Sequence, residues 1–242
     1  MAAKPRIESF DFPAGMEISS KYKIVKKLGE GWEGEVYQIT ETLTGILRAA
    51  KFFFPQRNVG NKAARSYALK LHRLRSCSIL IQYLTQGKII YQDVPITYLV
   101  SEFVDGLPLD EYLNKQKGKK LGPFQSLHLL HTLAKGIDEI HNKKEYHGDL
   151  HLSNIMVQRF GLGFELKVID FYHWAGASKE NRKEDLVDLI HIFYQAMGGK
   201  KYYSKQPKAV KNIIMGLKRT LILEKFKSVG DLKTYIENLG WD

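Results

Sequence analysis

Between Lys21 and Phe54 apolar and polar positions alternate in three runs, KYKIVKKL, EVYQIT and ILRAAKFFF, and this period of two predicts β-strands. A glycine cluster separates the first two runs, and Thr44-Gly45 lies in the longer turn between the second and third. The period changes in KAARSYALKLHRL (62–74), where Ala64, Ala68, Leu71 and Leu74 share one helical face. KIIYQD and ITYLVSEFV return to alternation and predict an antiparallel pair. DGLPLDEYL opens a short helix, with Asp105 expected as its cap and Pro108 in its first turn. Beyond it the spacing is helical: 122–143 carries Phe124, Leu127, Leu130, Leu133 or Ala134, Ile137 and Ile140 on one side, and further helices are predicted at 182–197, 207–223 and 228–239. Residues 1–20 show no period and, with Pro5, Pro13 and Gly15, read as an irregular lead-in. A strand-rich portion followed by a helix-rich one predicts an α+β chain, with the lead-in at 1–20, a small portion at 21–104 and a large one at 105–242.

Composition adds constraints on surface and compartment. With 44% hydrophobic and 12% aromatic residues, 242 residues can bury a core without covalent staples. The single cysteine, Cys77, excludes an intramolecular disulfide and predicts a reducing, cytoplasmic setting. No apolar run approaches the roughly 18 residues of a membrane span, so no transmembrane segment is expected. Lys plus Arg number 37 and Asp plus Glu 26, a net charge of +11. Thr42–Gln92 holds nine basic residues and no acidic one, leaving 28 basic against 26 acidic elsewhere. The excess therefore belongs to the small portion. It predicts a docking surface there for an acidic protein, a nucleic acid or a membrane, three alternatives that charge alone does not separate.

Four short motifs carry chemistry. LGEGWEGEVY places Gly29, Gly31 and Gly34 between two strands, where a glycine backbone can approach phosphate oxygens; the absence of a following helix disfavours a Rossmann fingerprint. Lys51 lies in an apolar strand beside Phe52, Phe53 and Phe54, costly to bury without an anion. In EYHGDLHLSNIMV, Asp149 precedes Asn154 by five residues, a spacing that can aim a carboxylate at a hydroxyl and an amide oxygen at a metal. Asp170 ends the apolar run of LKVID, where a carboxylate suits Mg2+ already holding phosphates.

In this order the glycine hairpin, the strand lysine, H-x-D-L-x-x-x-N (147–154) and D-F-x (170–172) resemble the protein-kinase superfamily, from Lys21 to the end of the chain. The resemblance implies a bilobal fold, with a small antiparallel sheet lobe holding one helix and a larger, mainly helical lobe. It implies ATP and Mg2+ as cofactors and transfer of the γ-phosphoryl group to a hydroxyl, as in a minimal Ser/Thr protein kinase. Gly29, Gly31 and Gly34 would cover the phosphates and Lys51 would hold them. Asp149 would be the catalytic base, and Asn154 and Asp170 the metal ligands. Leu28, Val36, Ala49 and Met156 would sandwich adenine, and Glu102 and Val104 would offer hinge backbone groups. EDLVDLIHIFY (184–194) is similar to the buried helix of the large lobe, with Asp185 in place of its N-terminal aspartate.

Departures from the family pattern keep other readings open. The helix after the lysine strand normally supplies a glutamate partner for that lysine, and here Tyr67 aligns with it. Lys51 is therefore expected to pair with Asp170, Glu33 or Glu35, or catalysis is impaired. Gly148 replaces the usual arginine, His151 a usual lysine, and Tyr172 the third residue of D-F-G. Only 14 residues lie between Asp170 and Asp185, with no A-P-E among them. H-G-D-L-H with this short interval resembles atypical kinases of small molecules and glycolipids, and the missing glutamate suggests a nucleotide-binding pseudokinase scaffold. A protein substrate is the leading expectation and a small-molecule acceptor the alternative.

Overall fold

The computed structural model describes residues 6–161, 163–171 and 178–240. The chain divides into two compact units, Met1–Ser76 with Ile81–Val104 and Cys77–Leu80 with Asp105–Asp242.

The first unit is a six-stranded antiparallel sheet in the order β1-β2-β3-β4-β6-β5. Its strands are β1 (Glu17–Ser19), β2 (Tyr22–Gly31), β3 (Gly34–Glu41), β4 (Leu47–Phe53), β5 (Tyr83–Tyr91) and β6 (Val94–Glu102), with helix α1 (Lys62–Arg73) between β4 and β5. Strand alternation gives the sheet two distinct faces. Tyr37, Ile39, Ala50, Phe52, Tyr98 and Val100 fill one. The register pairs Val36 with Lys51, Lys51 with Leu99 and Ala49 with Ser101 on the other. α1 turns Ala63, Ala64, Tyr67, Lys70 and Leu71 inward, and the Tyr67 ring meets that of Phe53, centroids 6.5 Å apart.

A sheet that is apolar on both faces needs two covers, and α1 supplies one. The other comes from the segment read as an irregular lead-in. Ile7, Phe10, Phe12 and Ile18 are buried against the first face, and residues 17–19 add the edge strand β1. The Phe10 ring lies 5.2 Å from Phe12, 5.2 Å from Phe54 and 5.7 Å from Tyr91. Under this strap the fully buried Glu35 accepts hydrogen bonds from Ser9 Oγ at 2.9 Å, Lys27 Nζ at 2.8 Å and Tyr37 Oη at 2.5 Å. Burial works to raise the Glu35 pKa, but the donors Lys27, Tyr37 and Ser9 outweigh it and hold the carboxyl below its usual range.

The second unit is mainly helical: α2 (Leu109–Asn114), α3 (Pro123–Asn142), α4 (Lys179–Ala196), α5 (Lys200–Tyr203), α6 (Lys208–Ile214), α7 (Arg219–Lys225) and α8 (Val229–Glu237). It also holds a small sheet, β7 (Leu107–Pro108), β8 (Ile155–Phe160) and β9 (Phe164–Val168). Two local expectations are corrected. Pro108, not Asp105, occupies the cap position of α2, because Leu107 and Pro108 are drawn into β7 opposite Val157 and Met156. The helix expected over 207–223 is broken between α6 and α7, where Met215, Gly216 and Leu217 take φ of +52°, +61° and +58°. Cys77–Leu80 joins this unit through β9: Val168 N–H donates to the Ile79 carbonyl at 2.7 Å.

Candidate active site

In the first unit, β2 and β3 form a tight hairpin in which Gly31 faces Gly34 across the two-residue turn Trp32-Glu33. The three glycines differ in what surrounds them. A Cβ on Gly34 would stand 1.8 Å from the Phe52 carbonyl oxygen, so glycine is required for β3 to approach β4. Beyond the adjoining residues of the chain, no described atom would lie within 4 Å of a Cβ on Gly29 or Gly31. Packing accounts for Gly34, whereas the open space beside Gly29 and Gly31 is free for a ligand. Leu28 is the extra residue of a bulge between the pairs Lys27–Tyr37 and Gly29–Val36, and its side chain is exposed.

Val36, Ala49, Lys51 and Ser101 share one sheet face, which gathers the adenine and phosphate candidates of this unit. Glu102 and Val104 follow at the end of β6, with Glu102 N–H bonded to the Gln82 carbonyl at 3.0 Å. Lys51 Nζ lies 3.0 Å from Glu33 Oε2, the two side chains only 15% and 12% exposed. The same ammonium sits 4.7 Å from the centre of the Tyr67 ring and 5.6 Å from that of Phe53. Of the three partners expected, Glu33 is the one in contact in this unit. Glu35 turns to the opposite face of the sheet, where Ser9, Lys27 and Tyr37 hold it.

In the second unit, Asp185 on α4 is fully buried and organises the 147–149 loop. Its Oδ2 accepts from His147 N–H and its Oδ1 from Gly148 N–H, both at 2.7 Å, and His141 Nε2 donates to Oδ2 at 2.9 Å. Gly148 takes φ +83°, a left-handed conformation open to glycine and strained for the arginine usual in the family. Asp149 N–H points at His147 Nδ1 at 3.3 Å, which makes Nδ1 an acceptor and leaves Nε2–H to donate to the Ile169 carbonyl at 3.1 Å. With both nitrogens engaged and its ring edge-on to Phe171, centroids 6.1 Å apart, His147 is a structural residue of the loop.

Asn154 Nδ2 donates to the Asp149 carbonyl at 2.9 Å and to Asp149 Oδ2 at 3.2 Å. The amide nitrogen thus fixes the aspartate, and Asn154 Oδ1 remains as an oxygen donor. The Asp149 side chain is 57% exposed, with His151 Nε2 3.9 Å from its Oδ1. Antiparallel β8 and β9 bring Asp170 beside Asn154, since Ile155 pairs with Val168 and Ile169 N–H bonds the Asn154 carbonyl at 3.0 Å. Asp170 has φ +54°, an unusual backbone state for an aspartate. Met156 lies on β8 opposite Lys167. Tyr172 falls outside the described residues, as does the rest of 172–177.

Among the described residues no cluster of three His, Cys, Asp or Glu side chains could by itself hold a metal ion. One carboxylate and one amide oxygen suit a hard cation that takes its other ligands from water and phosphates. Sequence reasoning did not single out His141, because a histidine near the end of an amphipathic helix carries no signal of a buried carboxylate more than forty residues away.

A family profile described as Protein kinase domain matches residues 22–215. The chain is 30% identical over 157 residues to a probable serine/threonine-protein kinase of Streptomyces coelicolor, covering 64% of this chain and 22% of that one. It is 25% identical over 161 residues to a probable serine/threonine-protein kinase, PknB, of Lactococcus lactis, covering 65% and 24%. It is 28% identical over 194 residues to death-associated protein kinase 2 of Mus musculus, covering 78% and 49%. The chain thus spans about a quarter of the bacterial relatives and about half of the mouse one.

Proposed function

Because the chain belongs to the protein-kinase domain family, we propose that it transfers the γ-phosphoryl group of Mg-ATP to a serine or threonine hydroxyl of a protein. The observation that carries this reading is the loop 147–154. Asp185 holds its backbone, Asn154 holds Asp149 in place, and the Asp149 carboxylate still reaches solvent. A residue constrained on one oxygen and open on the other is suited to orient an acceptor hydroxyl and take its proton.

The remaining roles follow the family order. Gly29 and Gly31 let backbone N–H groups approach the phosphates, Gly34 closes the hairpin, and Lys51 binds phosphate oxygens. Leu28, Val36, Ala49 and Met156 contact adenine, with Glu102 and Val104 presenting backbone polar groups to its edge. Asn154 and Asp170 hold Mg2+, which when bound neutralises charge on the phosphates.

The test is phosphoryl transfer from labelled ATP to a mixture of protein acceptors. Wild type should label serine or threonine, and Asp149→Ala should lose at least about a hundredfold in kcat while still binding nucleotide. Retained turnover in Asp149→Ala would remove the role given to Asp149. Label confined to a small-molecule fraction would replace the protein acceptor. Binding without any transfer would leave a nucleotide-binding scaffold.

A further inference from the structure

We propose that Glu33, at the tip of the glycine hairpin, is the positioning residue for Lys51, the task that a helix glutamate performs elsewhere in the family. The proposal rests on the reading of Lys51 as a phosphate-binding residue. α1 is composed of KAARSYALKLHR and offers no carboxylate, and Tyr67 brings its ring face to the ammonium at 4.7 Å. An aromatic face stabilises a cation yet supplies no full charge and little direction. The Glu33 carboxylate supplies both at 3.0 Å, in surroundings that exclude most water from the pair.

Glu33 can act this way because its backbone is fixed. Phe54 N–H donates to the Glu33 carbonyl at 2.9 Å. Gly34 permits the hairpin to close on the Phe52 carbonyl. The Arg57 guanidinium lies 4.1 Å from the Trp32 ring centre. Three neighbouring residues thus tie the turn to the end of β4 and the residues just after it, and β4 also carries Lys51. The lysine and its counter-ion are linked within one antiparallel pair, so Lys51 is set when the hairpin is closed and independently of any movement of α1.

Three measurements test this. Carbodiimide treatment of the wild type should join the Glu33 carboxyl and the Lys51 amine as an amide, with loss of water, detectable by peptide mapping; absence of that cross-link overturns the pairing. Glu33→Gln, assayed below its melting temperature, should lower kcat about tenfold or more. Glu33→Gln combined with Tyr67→Glu, which returns a carboxylate from the helix, should recover most of that loss. Rescue by a charge on a different element is a result that a merely structural role for Glu33 does not produce. Unchanged or increased kcat in Glu33→Gln, or no recovery in the double variant, overturns the proposal and leaves phosphoryl transfer standing. A wild type that forms the cross-link but transfers no phosphate removes the kinase reading and leaves the pairing standing.

Discussion

One helical turn beyond Asp185 on α4 lies Asp188, whose carboxyl is pushed up to about 7 by burial first and then by the charges of Asp185, Glu184 and Asp149. A carboxyl whose folded pKa lies above its unfolded value of 3.8 binds protons more tightly in the native state. Stability therefore falls as pH rises from about 4 to about 7, and above that range the full cost of an ionised Asp188 is imposed. Asp188→Asn keeps the shape and removes the charge. It should melt a few degrees above wild type at pH 8, and the difference should vanish toward pH 4; a constant difference across that range would refute the assignment. At this scale order and spacing in the sequence single out Lys51, Asp149, Asn154 and Asp170 as the candidate site residues. They leave the partner of Lys51 open among three acids, because a turn residue and its neighbour two positions away differ only in which sheet face they meet.

The elements that were legible are those with a clear period or a continuous apolar run: β2, β3, β4, β6 and α1 all show in the sequence, although β3, β4 and β6 are buried on both faces. The strap over residues 7–18 was not, because Ile7, Phe10, Phe12 and Ile18 follow no regular spacing and regular structure is confined to residues 17–19. What calls for the strap is the far side of the sheet, and that need appears only once Phe52, Tyr98 and Val100 are seen to share a face. The break between α6 and α7 was signalled by Gly216, yet the flanking Met215 and Leu217 also adopt positive φ, against their own preference. If the strap is a true half of the core, Phe10→Ala should cost about 3–5 kcal/mol. That corresponds to a fall in melting temperature on the order of 10 °C. A fall within about 2 °C, the response of a surface residue, would show the strap to be dispensable.

At the scale of the whole molecule, a ligand that binds only the folded state adds about 2.7 kcal/mol at a hundred times its Kd. Mg-ATP should accordingly raise the melting temperature by roughly 5–10 °C. No shift at saturating nucleotide would contradict the placement of Gly29, Gly31 and Lys51 at a phosphate site. The excess of positive charge in 42–92 lies in the same unit as that site, so the shift should shrink as salt screens the field around an anionic ligand. The strap has a further consequence, for synthesis. Phe10 and Tyr91 have ring centres 5.7 Å apart, yet a ribosome adding about 5–20 residues per second needs roughly 4–16 s to make the intervening chain of about 80 residues. Phe52 and Phe54, which also pack on Phe10, are made roughly half-way through that interval, so the strap meets part of its surface first and its contact with Tyr91 closes last. Lowering the growth temperature during expression should thus raise the soluble yield of this protein, as measured by the soluble fraction at two temperatures.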